Sequence, residues 1–265
     1  MNRPRRAWVL LAGLALALPS PLLALDTSAT GPWARALREH TVATRGLAGT
    51  AVDYKTLRGS AVWPEVVADL ERTPLASLET RSQKLAFWIN AYNIAAIDLV
   101  VQQGPVESIR DIGNFFFPVW KRDAVQIGEK ARSLDEIEHD ILRKLDDPRI
   151  HGAIVCASLS CPDLRRAPYR ADQIDRQLDQ QMRTWLANPE KGARIDRPND
   201  RIALSRVFDW FASDFEHAGG TLSFVGPFLS PGDRAWLARN RRTVRVRFLP
   251  YDWDLNRVAT TPREN

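Results

Sequence analysis

The sequence predicts an α+β fold: a single helix-rich domain around a small, mainly antiparallel sheet, with a buried central helix. Three observations carry this. Residues 82–103 place Leu85, Phe87, Trp88, Ile89, Tyr92, Ile94, Ile97, Leu99, Val100 and Val101 around the whole helical circumference, and a helix apolar on all sides is buried. Short β-patterned runs at 125–127, 193–197, 201–205 and 245–249 are each bounded by turn residues. The order of elements is helix-rich first and mixed afterwards, without the regular βαβ alternation of a parallel sheet.

The chain of 265 residues begins with Arg3, Arg5 and Arg6 before an apolar run from Ala7 to Leu18, and Leu22-Leu-Ala24 ends in a small residue. This pattern predicts a cleaved export signal over 1–24, with an uncleaved anchor as the alternative. The run is shorter than the ~20 residues that span a bilayer, and no later segment is expected to cross one. Residues 25–50 form an N-terminal helical extension, 51–256 the main α+β domain and 257–265 a disordered tail. The formal charge of +5 falls to about +2 once the three leader arginines go, which is no nucleic-acid signature. The expected location is periplasmic or secreted. Membrane contact is expected only through the signal during export, and the expected partner is a peptide or envelope component.

Taken in order, Trp33, Leu37 and Val42 mark a helix over 32–44, and Gly46 breaks it. Val52-Asp-Tyr54 is a strand or turn, and Val66, Val67 and Leu70 face inward from a helix over 64–72 that Pro74 stops. In the long helix Gln83, Asn90 and Asn93 fall on one stripe, and buried amides need partners, so the stripe lines a polar site or bonds loop backbone. Phe115-Phe-Phe-Pro-Val-Trp120 is an aromatic loop that caps the core or offers a binding patch. Ser133-Leu-Asp-Glu136 opens a helix to about Lys144 as a capping box. Glu138 lies about 40° from the centre of its apolar stripe and His139 about 140° away. Ile174, Leu178, Met182, Trp185 and Leu186 define a helix over 172–187. A hairpin about Pro198-Asn-Asp200, an aromatic helix over 207–215 and a last strand with outward arginines follow. Tyr251 to Asn256 then returns to the body.

The chemistry concentrates between Asp147 and Arg165, which holds both cysteines and His151. Ile150 to Ala157 is a nearly continuous apolar run and predicts a buried strand. Pro162 suits the first position of a helix, which would set Cys161 at the N-cap, where free N–H groups favour its thiolate. On this reading Cys161 is the better nucleophile and Cys156 an inert small hydrophobe. In an oxidising compartment the plain alternative is a local Cys156–Cys161 disulfide.

The motifs Lys84-Leu-Ala-Phe-Trp-Ile-Asn-Ala-Tyr-Asn93, Leu134-Asp-Glu-Ile-Glu-His-Asp-Ile-Leu-Arg143, Arg149-Ile-His151 leading to Cys156-Ala-Ser-Leu-Ser-Cys-Pro162, Leu204-Ser-Arg-Val-Phe-Asp-Trp210 and Trp253-Asp-Leu-Asn256 stand in this order along the chain. In them the chain resembles the domain-of-unknown-function 547 family. The resemblance implies a domain over roughly residues 50–256 and marks these motifs as important, but it implies no reaction. Where relatives often have a second Pro after Cys-Pro, this chain has Asp163, whose charge beside Cys161 would oppose thiolate formation.

Three functions follow from these residues. The first is a thiol-dependent hydrolase or acyl transferase, papain- or transglutaminase-like by fold analogy only. In it Cys161 is the nucleophile, His151 or His139 the base and Glu138 the orienter, with Gln83 or Asn90 as oxyanion donors and Asn93 and Cys156 beside them. The second is a non-catalytic envelope binding domain with a Cys156–Cys161 disulfide. The third is a zinc site of His139, His151, Cys156 and Cys161, whose spacing fits no common finger. Strand parity would point His151 and Cys156 to opposite faces, which weighs against Cys156 as the partner of His151 in the first, an objection Cys161 escapes, and against the third. No cofactor is expected.

Overall fold

The computed structural model describes residues 24–114 and 117–259. The expected export signal up to residue 23, Phe115 and Phe116 of the aromatic loop, and residues 260–265 of the expected tail lie outside the described residues.

The long apolar segment forms the axis of the structure. It is preceded by α1 (Pro32–His40), α2 (Tyr54–Arg58) and α3 (Val62–Glu71), and is itself α4 (Arg81–Gln103). Thr80 caps it by accepting the Gln83 N–H, and the Gln83 side chain accepts the Thr80 N–H in return. Gly104 ends it at φ +105°, a backbone that favours glycine. Fifteen of its residues from Leu85 to Val101 are buried. By length and composition α4 could span a membrane, contrary to the sequence expectation, but 89% of its apolar window is buried inside the protein.

The strands form three small sheets rather than one. β1 (Thr41–Ala43) pairs antiparallel with β2 (Thr50–Val52), and β3 (Asp123–Ile127) with β4 (Lys130–Ser133). The third sheet has the order β5 (Ala193–Asp196), β6 (Arg201–Leu204), β7 (Arg245–Phe248), with the first pair antiparallel and the second parallel. Arg245 and Arg247 face solvent, as their alternation with Val246 and Phe248 predicts.

Two apolar cores share one helix, α5 (Ile174–Ala187). Its Ile174 and Leu178 join the core around α4, while Met182, Trp185 and Leu186 join a second core. That second core also takes residues from α6 (Val207–Trp210), α7 (Thr221–Val225) and α8 (Pro231–Asn240). Trp185 stacks on Phe208 at 5.0 Å, Phe208 meets Phe215 at 5.1 Å, and Phe215 meets Phe224 at 4.8 Å. Each such buried side chain contributes about 1.5–3 kcal/mol relative to exposure. At Gly192, where the chain turns back under α5, a Cβ would sit 1.8 Å from the Trp185 carbonyl oxygen, so only glycine fits. Next to it, Lys191 is buried against Asp163, which also accepts the Gly49 N–H at 2.7 Å.

Three expected elements are replaced. The 150–157 strand is instead a 3-10 helix, Pro148–Gly152, followed by irregular chain. Asp147 starts the helix by accepting the Arg149 N–H. Asn93 then takes the place of a neighbouring strand: its amide donates to the Ala153 carbonyl at 3.0 Å and accepts the Val155 N–H at 2.8 Å. The run's apolar character reflects burial alone, which a helix turn and a coil satisfy as well as a strand. Pro162 likewise begins no helix, since the next helical turn is Ala171–Gln173, so the macrodipole argument for Cys161 falls away. The helix expected from Ser133 is a π-helix, Glu136–Leu142, and a 3-10 turn, Arg143–Leu145.

Candidate functional site

Six separate stretches meet where the two cores adjoin and enclose a cavity of about 200 Å³. α4 contributes Tyr92, the aromatic loop Trp120, the π-helix Glu138 and His139, and the 148–162 segment His151, Cys156 and Cys161. Trp210 and Phe211 at the end of α6 close one side, and Tyr251 and Trp253 close another. The π-helix widens the turn to an i→i+5 repeat, and wide turns of this kind recur at functional sites. Its geometry brings both Glu138 and His139 to the cavity, although a regular 100° spacing separates them by a quarter turn.

The sulfurs of Cys156 and Cys161 lie at disulfide distance, with Cα atoms 6.4 Å apart. Ala157 makes the turn between them in the left-handed region, at φ 62°. The loop is tied to the chain's end: Leu159 N–H donates to the Asp254 carbonyl at 2.8 Å, Asp252 N–H to Ser160 Oγ at 2.8 Å and Asn256 N–H to the Ala157 carbonyl at 3.0 Å. Cys161 is 3% exposed and Cys156 is half-buried, the reverse of the sequence expectation. Around Cys161 Sγ stand the Cys156 N–H at 3.1 Å, Ser158 Oγ at 3.2 Å and the Tyr251 hydroxyl at 3.2 Å. The Tyr251 hydroxyl is also 3.5 Å from Cys156 Sγ. Burial holds the Tyr251 hydroxyl protonated, so it acts as a donor.

Away from the sulfurs runs a chain of acid–base groups. Arg143 holds Asp214 with a two-point contact, its Nε donating at 2.8 Å. His151 Nε2 is 2.8 Å from Asp214 Oδ2. Burial would raise the Asp214 carboxyl, but hydrogen bonds from His151 and Arg143 outweigh it and hold the group well below the usual carboxylate range. With Asp214 ionised, Nε2 carries the proton and Nδ1 is the acceptor. Nδ1 faces Glu138 Oε1 at 3.9 Å, too far for a direct hydrogen bond. Burial lowers the His151 pKa, against the pull of Asp214. Phe211 lies over the imidazole at 4.2 Å, and Phe215 meets it edge-on at 5.8 Å. Burial pushes Glu138 up to about 7, despite the Tyr92 hydroxyl at 3.4 Å and nearby Arg143.

That shift has a consequence for stability. The folded protein binds the Glu138 proton more tightly than the unfolded chain, so its contribution falls as pH rises from about 4.5 to 7. Glu138→Gln is therefore expected to be more stable than the parent by about 1–3 kcal/mol at pH 8, with the gap closing towards pH 4.5. Urea unfolding at the two pH values measures it, and a gap that widens on acidification would contradict the burial argument.

Four of the predicted residues, Cys161, His151, His139 and Glu138, line the cavity together with Cys156. Since the 150–157 segment is no strand, the parity objection to His151 and Cys156 sharing a face disappears. His139 sits at the rim, with Nδ1 2.8 Å from Arg143 Nη1. The amide stripe does not reach the cavity. Gln83 serves the cap of α4, and Asn90 holds both backbone groups of Tyr169 and accepts the Trp33 indole N–H. Asn93 positions the backbone leading to Cys156. Asp163 does not oppose Cys161, because its charge is paired with Lys191. Among the described residues no group of three or more ligating side chains is arranged to hold a metal ion.

Sequence reasoning missed Asp214 and the two tyrosines. Tyr92 carried a signal, since a hydroxyl on a wholly buried helix needs a partner. Asp214 carried one too, as an acid set in the aromatic run from Phe208 to Phe215.

Residues 75–186 match a family model described as "Protein of unknown function, DUF547". The match takes in Tyr92, the π-helix and the cysteine loop, whereas Trp210, Phe211, Asp214, Tyr251 and Trp253 lie beyond it. No curated protein and no solved structure matches the chain.

Proposed function

We propose, for a chain whose residues 75–186 match the DUF547 family model, that the cavity is a thiol–disulfide exchange site. The observation that carries this is the setting of the cysteine pair. The sulfurs line a cavity bearing Glu138 and His151, and their near neighbours are each other, Ser158 and Tyr251. A staple closing so short a loop would contribute only about 2 kcal/mol by chain entropy.

In the exchange a substrate thiolate attacks Cys156 Sγ, the half-buried sulfur, and forms a mixed disulfide. The Cys156–Cys161 bond breaks and Cys161 leaves as a thiolate. The Cys156 N–H and the Ser158 and Tyr251 hydroxyls are placed to stabilise that charge. The second thiol of the substrate gives its proton to Glu138 and attacks the mixed disulfide. Cys156 then departs as a thiolate and takes up a proton, so that one dithiol is oxidised and the protein pair reduced. The reverse sequence reduces a substrate disulfide. A carboxyl titrating near 7 accepts and returns protons at neutral pH. The reading also fits an exported protein, for which the Arg-flanked apolar run before Ala24 is the support.

One observation favours a second reading, a thiol hydrolase or acyl transferase acting in the dithiol form. The Asp214–His151 hydrogen bond fixes an imidazole with Nδ1 free as a base. Here Asp214, not Glu138, would be the orienter. A binding domain with an inert disulfide is the remaining alternative.

Trapping separates them. Cys161→Ser incubated with oxidised glutathione should hold a stable mixed disulfide on Cys156, visible by intact mass, while Cys156→Ser should react at least ten-fold more slowly. Equal labelling of the two variants, or none, would overturn exchange. Thioester hydrolysis by the reduced parent without such trapping would favour the second reading.

A further inference from the structure

The cavity opens beside a larger groove of about 650 Å³, and the two share Trp120 and Trp253 as a common wall. The segment that brings Tyr251 to the sulfurs therefore brings Trp253, two residues on, into the groove. Over the Trp253 ring, 5.3 Å from its centroid, lies the Arg110 guanidinium. Trp120 and Tyr251 meet the same ring at 5.9 and 4.5 Å, so the indole is held from several sides and the cation has a fixed base. Arg110 is exposed, and among the described residues its guanidinium forms no ion pair. Asp111, also on the groove, is committed elsewhere, because one of its oxygens accepts the backbone N–H groups of Ser108 at 2.9 Å and Glu107 at 3.2 Å.

A stacked, unpaired guanidinium beside a cavity is matched by a carboxylate, which it can grip with two parallel hydrogen bonds. We infer that Arg110 and Trp253 form a specificity subsite for a carboxylate on a cysteine-bearing polypeptide, an Asp or Glu side chain a few residues from the cysteine that enters the cavity. This rests on the exchange reading for the cysteine, but the carboxylate recognition is measured independently of it.

The test uses the whole purified chain and short peptides in which serine replaces the cysteine, so that binding is read without chemistry. Quenching of tryptophan fluorescence reports occupancy of the groove. The parent should bind a peptide with Glu two residues from the serine at least five-fold more tightly than its Gln counterpart, and 0.5 M salt should remove most of the difference. Arg110→Gln should abolish the preference. Arg110→Glu should invert it in favour of a Lys peptide, an outcome that a misfolded variant would not give. Equal binding of Glu and Gln peptides by the parent, or a Glu preference that survives Arg110→Glu, would overturn the inference. If cysteine peptides show no exchange but the Glu preference and its inversion hold, the subsite stands and the exchange reading fails.

Discussion

Asp163→Ala is expected to lower the unfolding free energy by about 3–5 kcal/mol, the cost of stranding a buried charge. Lys191 has a side chain only 1% exposed, and its charged partner is Asp163. Burial already lowers the Lys191 pKa, and the ion pair with Asp163 opposes that shift. Without the carboxylate the amine must lose its proton or open the loop to water. The substitution also strips the Gly49 N–H of its acceptor and so loosens the link between the β1–β2 turn and the cysteine loop. Lys191→Met is expected to cost less, because Asp163 keeps the Gly49 contact. The double variant Asp163→Ala, Lys191→Met should recover much of the loss, since an apolar chain suits the hole better than an unpaired cation. Urea unfolding of the three variants gives the ranking, and an Asp163→Ala loss below about 1 kcal/mol would contradict the account of this pair.

The second large effect is expected at Asp214. Its carboxylate is the shared acceptor of Arg143 and of His151, whose side chain is 1% exposed. Asp214→Ala leaves the imidazole N–H without a partner and Arg143 without its counter-charge, a loss of about 2–4 kcal/mol. The sign of the pH dependence distinguishes this from a packing defect. The folded pKa of Asp214 lies below its ordinary value of 3.8, so the stabilisation is present above that value and is lost as pH falls through the folded pKa. The difference between parent and variant should therefore be full at neutral pH and shrink below about pH 4. A difference unchanged between pH 7 and pH 3 would show that Asp214 acts only through packing. Asp214→Asn should fall between the two, because its oxygen can accept from His151 while its amide meets Arg143 donor to donor.

The elements with a strong period were legible in the sequence. α4 was expected at 82–103 and runs Arg81–Gln103, and α5 at 172–187 and runs Ile174–Ala187, because long helices announce themselves by apolar spacing and by their stops. The 193–204 hairpin was legible from its turn residues for the same reason. The cysteine segment was not. Its apolar run is buried by Asn93, sixty residues earlier, whose side chain occupies the backbone groups that a strand would have paired. The π-helix was hidden because the Ser133-Leu-Asp-Glu136 pattern promises an ordinary N-terminus. In the fold the Ser133 hydroxyl does accept the Glu136 N–H, but the Glu136 carboxylate turns outward to Lys130 and Arg132. The site was half visible: reactive types singled out Glu138, His139, His151 and both cysteines. The groups that orient them, Asp214 and Tyr251, stand 63 residues from His151 and 90 from Cys161, and only the fold brings them close.

Whether Cys156 and Cys161 exchange rather than merely staple is read from the reduction potential of the pair. The protein would be equilibrated in glutathione and dithiothreitol redox buffers, quenched by alkylation and read by intact mass. Exchange predicts a potential between about −120 and −270 mV, where thiol–disulfide oxidoreductases work. A value below about −300 mV would mark a structural disulfide and contradict the account.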